Sequence, residues 1–270
     1  MQNYDHVHLT KNGILLAVCI LVAALANQVI AQSVKPHPWM ANAPGEFVRL
    51  INRGNVKMVL DDDCVQKAGK TALTVFLFVI DYDFKFRHRS LGFDNQSQVW
   101  QANIVAWMDQ PKVKLDHKIY LQSTFAPSSP WESKLLRHEF DHVAISTDPR
   151  LLKIIKRALQ QPRQWVAKWD QASAPTEKDI RKSILENFKS EVTSLEQMVQ
   201  SQYDVLDKES SQGMSAIPSR TDFFKQLYTA EGLNQCNFMM DDSMREYVKE
   251  RLSNPASQKE VDGHYLFLTP

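Results

Sequence analysis

The first half of the chain carries the hydrophobic pattern of β-strands. In its last strand-like segment, apolar residues including His117 fall on one face and lysines fall on the other, a period of two. We therefore expect a half-buried strand with His117 as a core histidine, and the lysine-rich face is typical of an edge strand. Four segments rich in β-branched and aromatic residues are predicted as strands: 56–60, 71–80, 98–107 and 112–122.

The period becomes helical after residue 128. Ser129, Pro130 and Glu132 form a helix-start signal in which Ser129 caps the helix and Glu132 completes a capping box. Further helices are predicted from Asp148-Pro149, from Thr176 to about Leu206 and over 238–253, with a loop at 210–220. Strands followed by helices predict an α+β fold, a small and mainly antiparallel sheet followed by a helical half.

The N-terminal segment has the pattern of a secretory signal. Lys11 precedes an apolar run over 14–26, and Ala31 stands at a position that a signal peptidase reads. The run is shorter than the roughly 20 residues that span a bilayer. We expect residues 1–31 to be a signal peptide, the protein to be periplasmic or secreted without a stable membrane span, and residues 32–270 to form a single domain.

Cysteine usage, charge and glycine content further narrow the classes of protein that this sequence fits. Removing residues 1–31 leaves Cys64 and Cys236, which would form a disulfide in an oxidising compartment or remain as two buried thiols. The 32 Lys and Arg residues nearly balance the 31 Asp and Glu residues, so no broad basic surface for nucleic acid is expected. Only 8 glycines are present, and no glycine-rich phosphate-binding string occurs.

One motif combines residue types that bind metal ions and transfer protons, His138-Glu139-Phe140-Asp141-His142. Two histidines one helical turn apart project the same way and can hold one Zn²⁺ ion, while Glu139 stands beside the open position of the metal. There a carboxylate can act as general base toward a water molecule that the metal activates. The alternative is a buried histidine pair without metal, with Glu139 in solvent.

This arrangement resembles the zincin class of zinc metalloproteases, which implies that 112–122 is the edge strand that pairs with a peptide substrate. Within that class, residues 55–213 are similar to a bacterial group of exported zinc-dependent proteases known as a domain of unknown function. Members carry a second string, Tyr-Asp-x-x-Thr-x-His-Gly. Here it reads Tyr203-Asp204-Val205-Leu206-Asp207-Lys208-Glu209-Ser210, with Asp207 for Thr, Glu209 for His and Ser210 for Gly.

Zinc requires a third protein ligand, for which several candidates stay open. Glu209 takes the position of the histidine in the resembling group, and Glu191 lies on the apolar stripe of the long helix. Asp148 follows the motif at a ligand spacing but also suits a helix cap, and His264 stands near the C-terminus. The resemblance gives Tyr203 a role in stabilising an oxyanion, whereas packing is its structural alternative.

Together these patterns predict an exported zinc-dependent peptidase with Glu139 as general base and a peptide or protein as substrate. Peptidase activity is implied by the resemblance, since the motif by itself indicates only a metal-activated water. The alternatives are a hydrolase of another amide, such as cell-wall peptide, and a non-catalytic zinc-binding or scaffolding module of the envelope.

Overall fold

The computed structural model describes residue 39 and residues 42–265, except 126, 127, 171, 172, 218, 237, 239 and 253. The predicted signal peptide, residues 1–31, lies outside the described residues. Along the described chain, no helix is both long enough and apolar enough to cross a membrane.

Strands and short helices make up the first half of the described chain. These are α1 (Gly45–Gly54), β1 (Val56–Leu60), α2 (Asp62–Lys67), β2 (Ala72–Asp94) and β3 (Val99–Leu121). The second half is mostly helical, with a 3-10 helix (Pro130–Glu132), α3 (Lys134–Ser146), α4 (Pro149–Gln160), β4 (Arg163–Trp169), α5 (Glu177–Glu209), α6 (Arg220–Gln226), α7 (Ala230–Gln235), α8 (Asp242–Tyr247), a π-helical turn (Val248–Leu252) and α9 (Pro255–Tyr265).

The described strands form one sheet in which β3 lies between β1 and β2. A turn over residues 95–98 joins β2 to β3, and a connection this short requires antiparallel strands. Strand β4 also pairs antiparallel with β3, whereas β1 pairs parallel with residues 117–121. The predicted α+β class, with a mainly antiparallel sheet followed by a helical half, is confirmed.

The prediction of an edge strand over 112–122 is wrong. Residues 98–107 and 112–122 belong to the single strand β3, whose end is covered by β1. The alternation itself is correct, because Leu115, His117 and Ile119 are buried while Lys112 and Lys114 are exposed. Alternation reports which face of a strand is buried, and it carries no information about the neighbours within the sheet.

The described chain forms two compact units. The first consists of Ile80–Val113 and Ile155–Leu195, and it contains β4 and the first part of α5. In its core, the ring of Phe188 on α5 packs against Tyr82 and Phe84 of β2, at centroid distances of 6.2 and 6.1 Å. The prediction of one domain over 32–270 stays a prediction.

The second unit consists of the described residues up to Val79, Lys114–Ile154 and the chain from Glu196 onward. Helix α3 lies at its centre, and every residue from 138 to 148 is buried. Phe47 of α1 packs on Phe140 at 4.8 Å, and the Tyr228 hydroxyl donates to the carbonyl of Ile145. Because α3 is buried on all sides, both its apolar and its polar side chains need partners inside this unit.

Two of the three predicted helix starts have different outcomes. At Thr176 the capping box forms, since the backbone N–H of Thr176 donates to Asp179 and the N–H of Asp179 donates to the Thr176 hydroxyl. At Ser129 it does not form: Pro130 opens a 3-10 helix, α3 begins only at Lys134, and Ser129 makes no side-chain cap bond. The predicted closing helix over 238–253 consists of α8 and the π-helical turn.

Of the two alternatives for Cys64 and Cys236, the structure has free thiols, with Cys236 buried and Cys64 half-buried. Burial raises the pKa of both thiols, and a carboxylate adds to the shift in each case, Asp61 for Cys64 and Asp204 for Cys236.

Candidate metal centre

Helix α3 brings the two histidines of the motif together. His138 and His142 are one turn apart, their ring centroids are 4.7 Å apart, and their Nε2 atoms are 3.2 Å apart. Both are buried, with 5% and 4% of their surface exposed. The helical prediction for the motif, with both histidines directed inward, is thus confirmed.

Asp207 of α5 completes the group. Its Oδ1 atom lies 2.9 Å from Nε2 of His138 and 3.0 Å from Nε2 of His142. The three ligand atoms all lie within 4.8 Å of one another. Ligands bound at about 2.0–2.1 Å in a tetrahedron are separated by about 3.3 Å, so these atoms need to move apart by only a few tenths of an ångström. The group could hold a metal ion.

The predicted third ligands lie elsewhere. Glu209 is exposed, because two helical positions after Asp207 the side chain has turned about 200° around α5. Glu191 lies in the first unit, where it pairs with Arg163 at 2.5 Å. Asp148 pairs with a buried arginine, and His264 contacts the carbonyl of Ala144 at 2.9 Å. The side chain that lies beside His138 and His142 is instead that of Asp207.

The sequence did contain a signal for Asp207. Tyr203, Asp207 and Ser210 are spaced by four and three residues, the spacing that places side chains on one face of a helix. Tyr203 and Ser210 are buried, and Ser210 lies beside His138. Searching that face for acidic residues, rather than following the resembling string position by position, would have identified Asp207.

Ser210 determines which nitrogen of a neutral His138 ring carries the proton. Its hydroxyl proton goes to the carbonyl of Leu206 at 2.7 Å, so its oxygen accepts from the backbone N–H of Gly213 at 3.0 Å. Nδ1 of His138 is 3.3 Å from the same oxygen and therefore has to be the donor in that contact. A neutral His138 consequently carries its proton on Nδ1 and turns a lone pair at Nε2 toward Asp207.

The other oxygen of Asp207 is held by Lys70, which follows α2 and donates to Oδ2 at 2.8 Å. Burial by itself would raise the pKa of Asp207. Lys70, and the rings of His138 and His142 whenever they carry a proton on Nε2, donate hydrogen bonds that outweigh burial and hold the pKa well below its usual range. The carboxylate is therefore ionised and directs Oδ1 to both histidines.

Glu139 is buried inside the second unit, with its side chain bonded to β2. The hydroxyl of Thr74 donates to Oε2 of Glu139 at 2.7 Å and lies 3.2 Å from the Glu139 backbone carbonyl. No local pattern predicts this partner, because 65 positions separate the two residues. Asp141 of the motif is also buried, and Arg220 donates to its carboxylate.

The hydroxyl of Tyr203 is directed away from the group of ligand atoms. It donates to Oγ of Ser146 at 2.9 Å, while its ring packs on His142 with centroids 4.3 Å apart. Burial raises the pKa of Tyr203, and the bond to Ser146 opposes that shift only in part. The geometry matches the packing alternative for Tyr203, and its predicted role in oxyanion stabilisation stays a prediction.

His117 is a core histidine, as expected. Nδ1 donates to the carbonyl of Gly54 at 2.6 Å, and Nε2 lies 2.6 Å from Oγ of Ser146. Burial lowers the pKa of His117 to about 4, although the bond to Gly54 opposes this shift. The neutral ring therefore accepts from Ser146, which in turn accepts from Tyr203. This chain of hydrogen bonds ties α5 and α3 to β3 and α1.

Comparisons of the whole chain with protein-family models, with curated proteins and with solved structures found no match.

Proposed function

We propose that this protein is a zinc-dependent peptidase in which His138, His142 and Asp207 bind the ion and Glu139 is the general base. The observation that carries the proposal is the convergence of two imidazole nitrogens on one carboxylate oxygen at 2.9 and 3.0 Å in a buried place. The His-Glu-x-x-His string and its resemblance to zincins supply the choice of reaction.

Protonation supports a cation in this place. A neutral His138 presents a lone pair at Nε2, and the ionised Asp207 presents another at Oδ1, only 2.9 Å away. Two acceptors facing each other at that distance repel unless a proton or a metal ion lies between them. Because Nε2 of His142 reaches the same oxygen, a single metal ion would satisfy all three atoms at once.

The donor set supports zinc as that metal. Two imidazole nitrogens and one carboxylate oxygen match the three-ligand sets of catalytic zinc sites, which keep a further position open for water or substrate. Magnesium and calcium favour sites made of oxygen atoms, so the two histidines argue against both. Bound zinc would lower the pKa of a water molecule and polarise a carbonyl group.

Glu139 supplies the proton transfer that peptide hydrolysis needs. Its carboxylate would take a proton from the attacking water and later deliver it to the leaving amine. Because Glu139 directly follows His138 on α3, the base and the metal ligands belong to one rigid helix, which favours precise placement. A peptide or protein is the proposed substrate, and residues 1–31 are proposed to direct export.

A second candidate is a metal-binding module without turnover. Residues 210–215 close over His138, and a Cβ added to Gly213 would lie 2.7 Å from the Cβ of His138. Together with the strong burial of both histidines, this close packing is typical of structural metal sites, which are closed.

One variant separates these two candidates. We expect the zinc-loaded protein to cleave members of a peptide library, detected by mass spectrometry, and Glu139→Gln to lose at least about 100-fold in rate while it keeps its zinc. Glu209→Gln, which changes an exposed glutamate, is the matched control and should cleave at the wild-type rate. Wild-type activity in a folded, zinc-loaded Glu139→Gln protein would contradict the proposal, and zinc without cleavage in the wild type would favour the module.

A further inference from the structure

We infer that Thr74 is the positioning residue for the general base, holding one oxygen of the Glu139 carboxylate so that the other is left for proton transfer. This inference rests on the proposed function and adds a residue that the motif does not contain. Both side chains are buried, with 6% of Thr74 and 3% of Glu139 exposed, and the hydroxyl lies 2.7 Å from Oε2.

A threonine hydroxyl has a single proton, and two oxygens of Glu139 compete for it. The carboxylate oxygen is 2.7 Å away and the backbone carbonyl oxygen is 3.2 Å away. The shorter bond to a charged acceptor is the stronger one, so the proton goes to Oε2. Among the described residues, Thr74 is the hydrogen-bond donor to this carboxylate. Oε1 is consequently the oxygen with unused lone pairs.

The position of the Thr74 hydroxyl is fixed by its strand. Ala72, Thr74 and Phe78 share the buried face of β2, and Phe76 on the same face packs against the ring of Tyr203 at 5.3 Å. A β-branched side chain on such a face has few accessible rotamers. The hydroxyl is therefore a rigid support for the Glu139 side chain, which otherwise rotates about several bonds.

Valine tests this role because it has the shape of threonine without the hydroxyl. In Thr74→Val the buried carboxylate loses its donor, and we expect kcat to fall about 10- to 100-fold, a fraction of what a general base supplies. Zinc content should stay at the wild-type level and KM should change by less than about 3-fold. Thr74→Ser restores the hydroxyl, so its kcat should return to within about 3-fold of the wild-type value.

Two further comparisons separate positioning from a general structural effect. In a Glu139→Gln background, adding Thr74→Val should cause no further loss of activity, since the base on which Thr74 acts is already absent. Thr71→Val, an exposed threonine just before β2, is the matched control and should leave kcat unchanged.

A readout independent of activity comes from urea unfolding. The Thr74→Val change should raise the unfolding equilibrium constant about 10-fold or more in the wild-type background, as expected for losing a hydrogen bond to a charged group. The same change should raise it less in the Glu139→Gln background, where the acceptor is neutral.

The possible results test the role of Thr74 and the proposed function separately. A folded, zinc-loaded Thr74→Val protein with kcat within 2-fold of wild type, or equal losses in the valine and serine variants, would overturn the role of Thr74 alone. A wild-type protein that binds zinc but cleaves no peptide would overturn the proposed function, and the role of Thr74 with it. Loss of kcat in the valine variant and recovery in the serine variant would support the inference.

Discussion

Acid should destabilise the fold through His117, because this ring is buried in its neutral form. Only 1% of its surface is exposed, and burial lowers its pKa from the ordinary 6.5 to about 4. Between these two pH values the unfolded chain binds a proton that the folded chain does not bind. Stability therefore rises with pH across this window and is lost as the pH falls from about 6.5 toward 4.

The loss of stability in acid can be calculated from the shift in the pKa of His117. A lowering of about 2.5 pKa units corresponds to about 3 kcal/mol of unfolding free energy in full, of which about 2 kcal/mol is lost by pH 5. His264, whose pKa burial also lowers, adds to the loss in the same direction. The contribution of His117 has to be read from a variant rather than from the wild type alone.

The assay is urea unfolding at pH 7.5 and pH 5, with a chelator present so that metal binding adds no pH dependence. His117→Gln should lose about 2 kcal/mol less stability between the two pH values than the wild type does. His88→Gln, which changes an exposed histidine, is the control and should follow the wild type. Equal losses in the wild type and His117→Gln would refute the assignment of a neutral, buried His117.

Two substitutions elsewhere in the second unit have expected outcomes that the same unfolding assay measures. Gly213→Ala should destabilise the fold by about 2 kcal/mol or more, because the residue has φ +80° and its Cβ would meet the side chain of His138. Gly69→Ala, with φ +65° and open space around it, should cost only about 1 kcal/mol. Arg150→Met should lower the free energy of unfolding by about 3–5 kcal/mol, because it leaves the buried Asp148 without the guanidinium that lies 2.8 Å away. The exposed ion pair between Lys153 and Glu260 should contribute less than about 1 kcal/mol. Equal effects within either pair would contradict the reasoning.

Three local sequence signals predicted the local structure correctly, whereas the capping box expected at Ser129 did not form. The capping box at Thr176, the alternation around His117 and the helical spacing of His138 and His142 all depend on residues within a turn or two of each other. Such signals persist in the folded chain because neighbouring residues meet whatever the rest of the chain does.

Two failures concern residues far apart in the sequence. Whether 112–122 lies at a sheet edge depends on where β1 pairs, some 60 positions away, and the partner of Glu139 comes from β2. Long-range packing, rather than local preference, decided both of these points. Asp207 was missed for a different reason, because the resembling string was followed position by position although Asp207 shares a helix face with Tyr203 and Ser210.

The most direct test of the account is the zinc content of the purified protein, measured by elemental mass spectrometry beside three variants. We predict one zinc ion per chain in the wild type and in Glu209→Gln, and loss of zinc in His138→Ala and Asp207→Ala. A wild type that takes up no zinc after reconstitution, or zinc that persists in Asp207→Ala and disappears in Glu209→Gln, would contradict the metal centre described above.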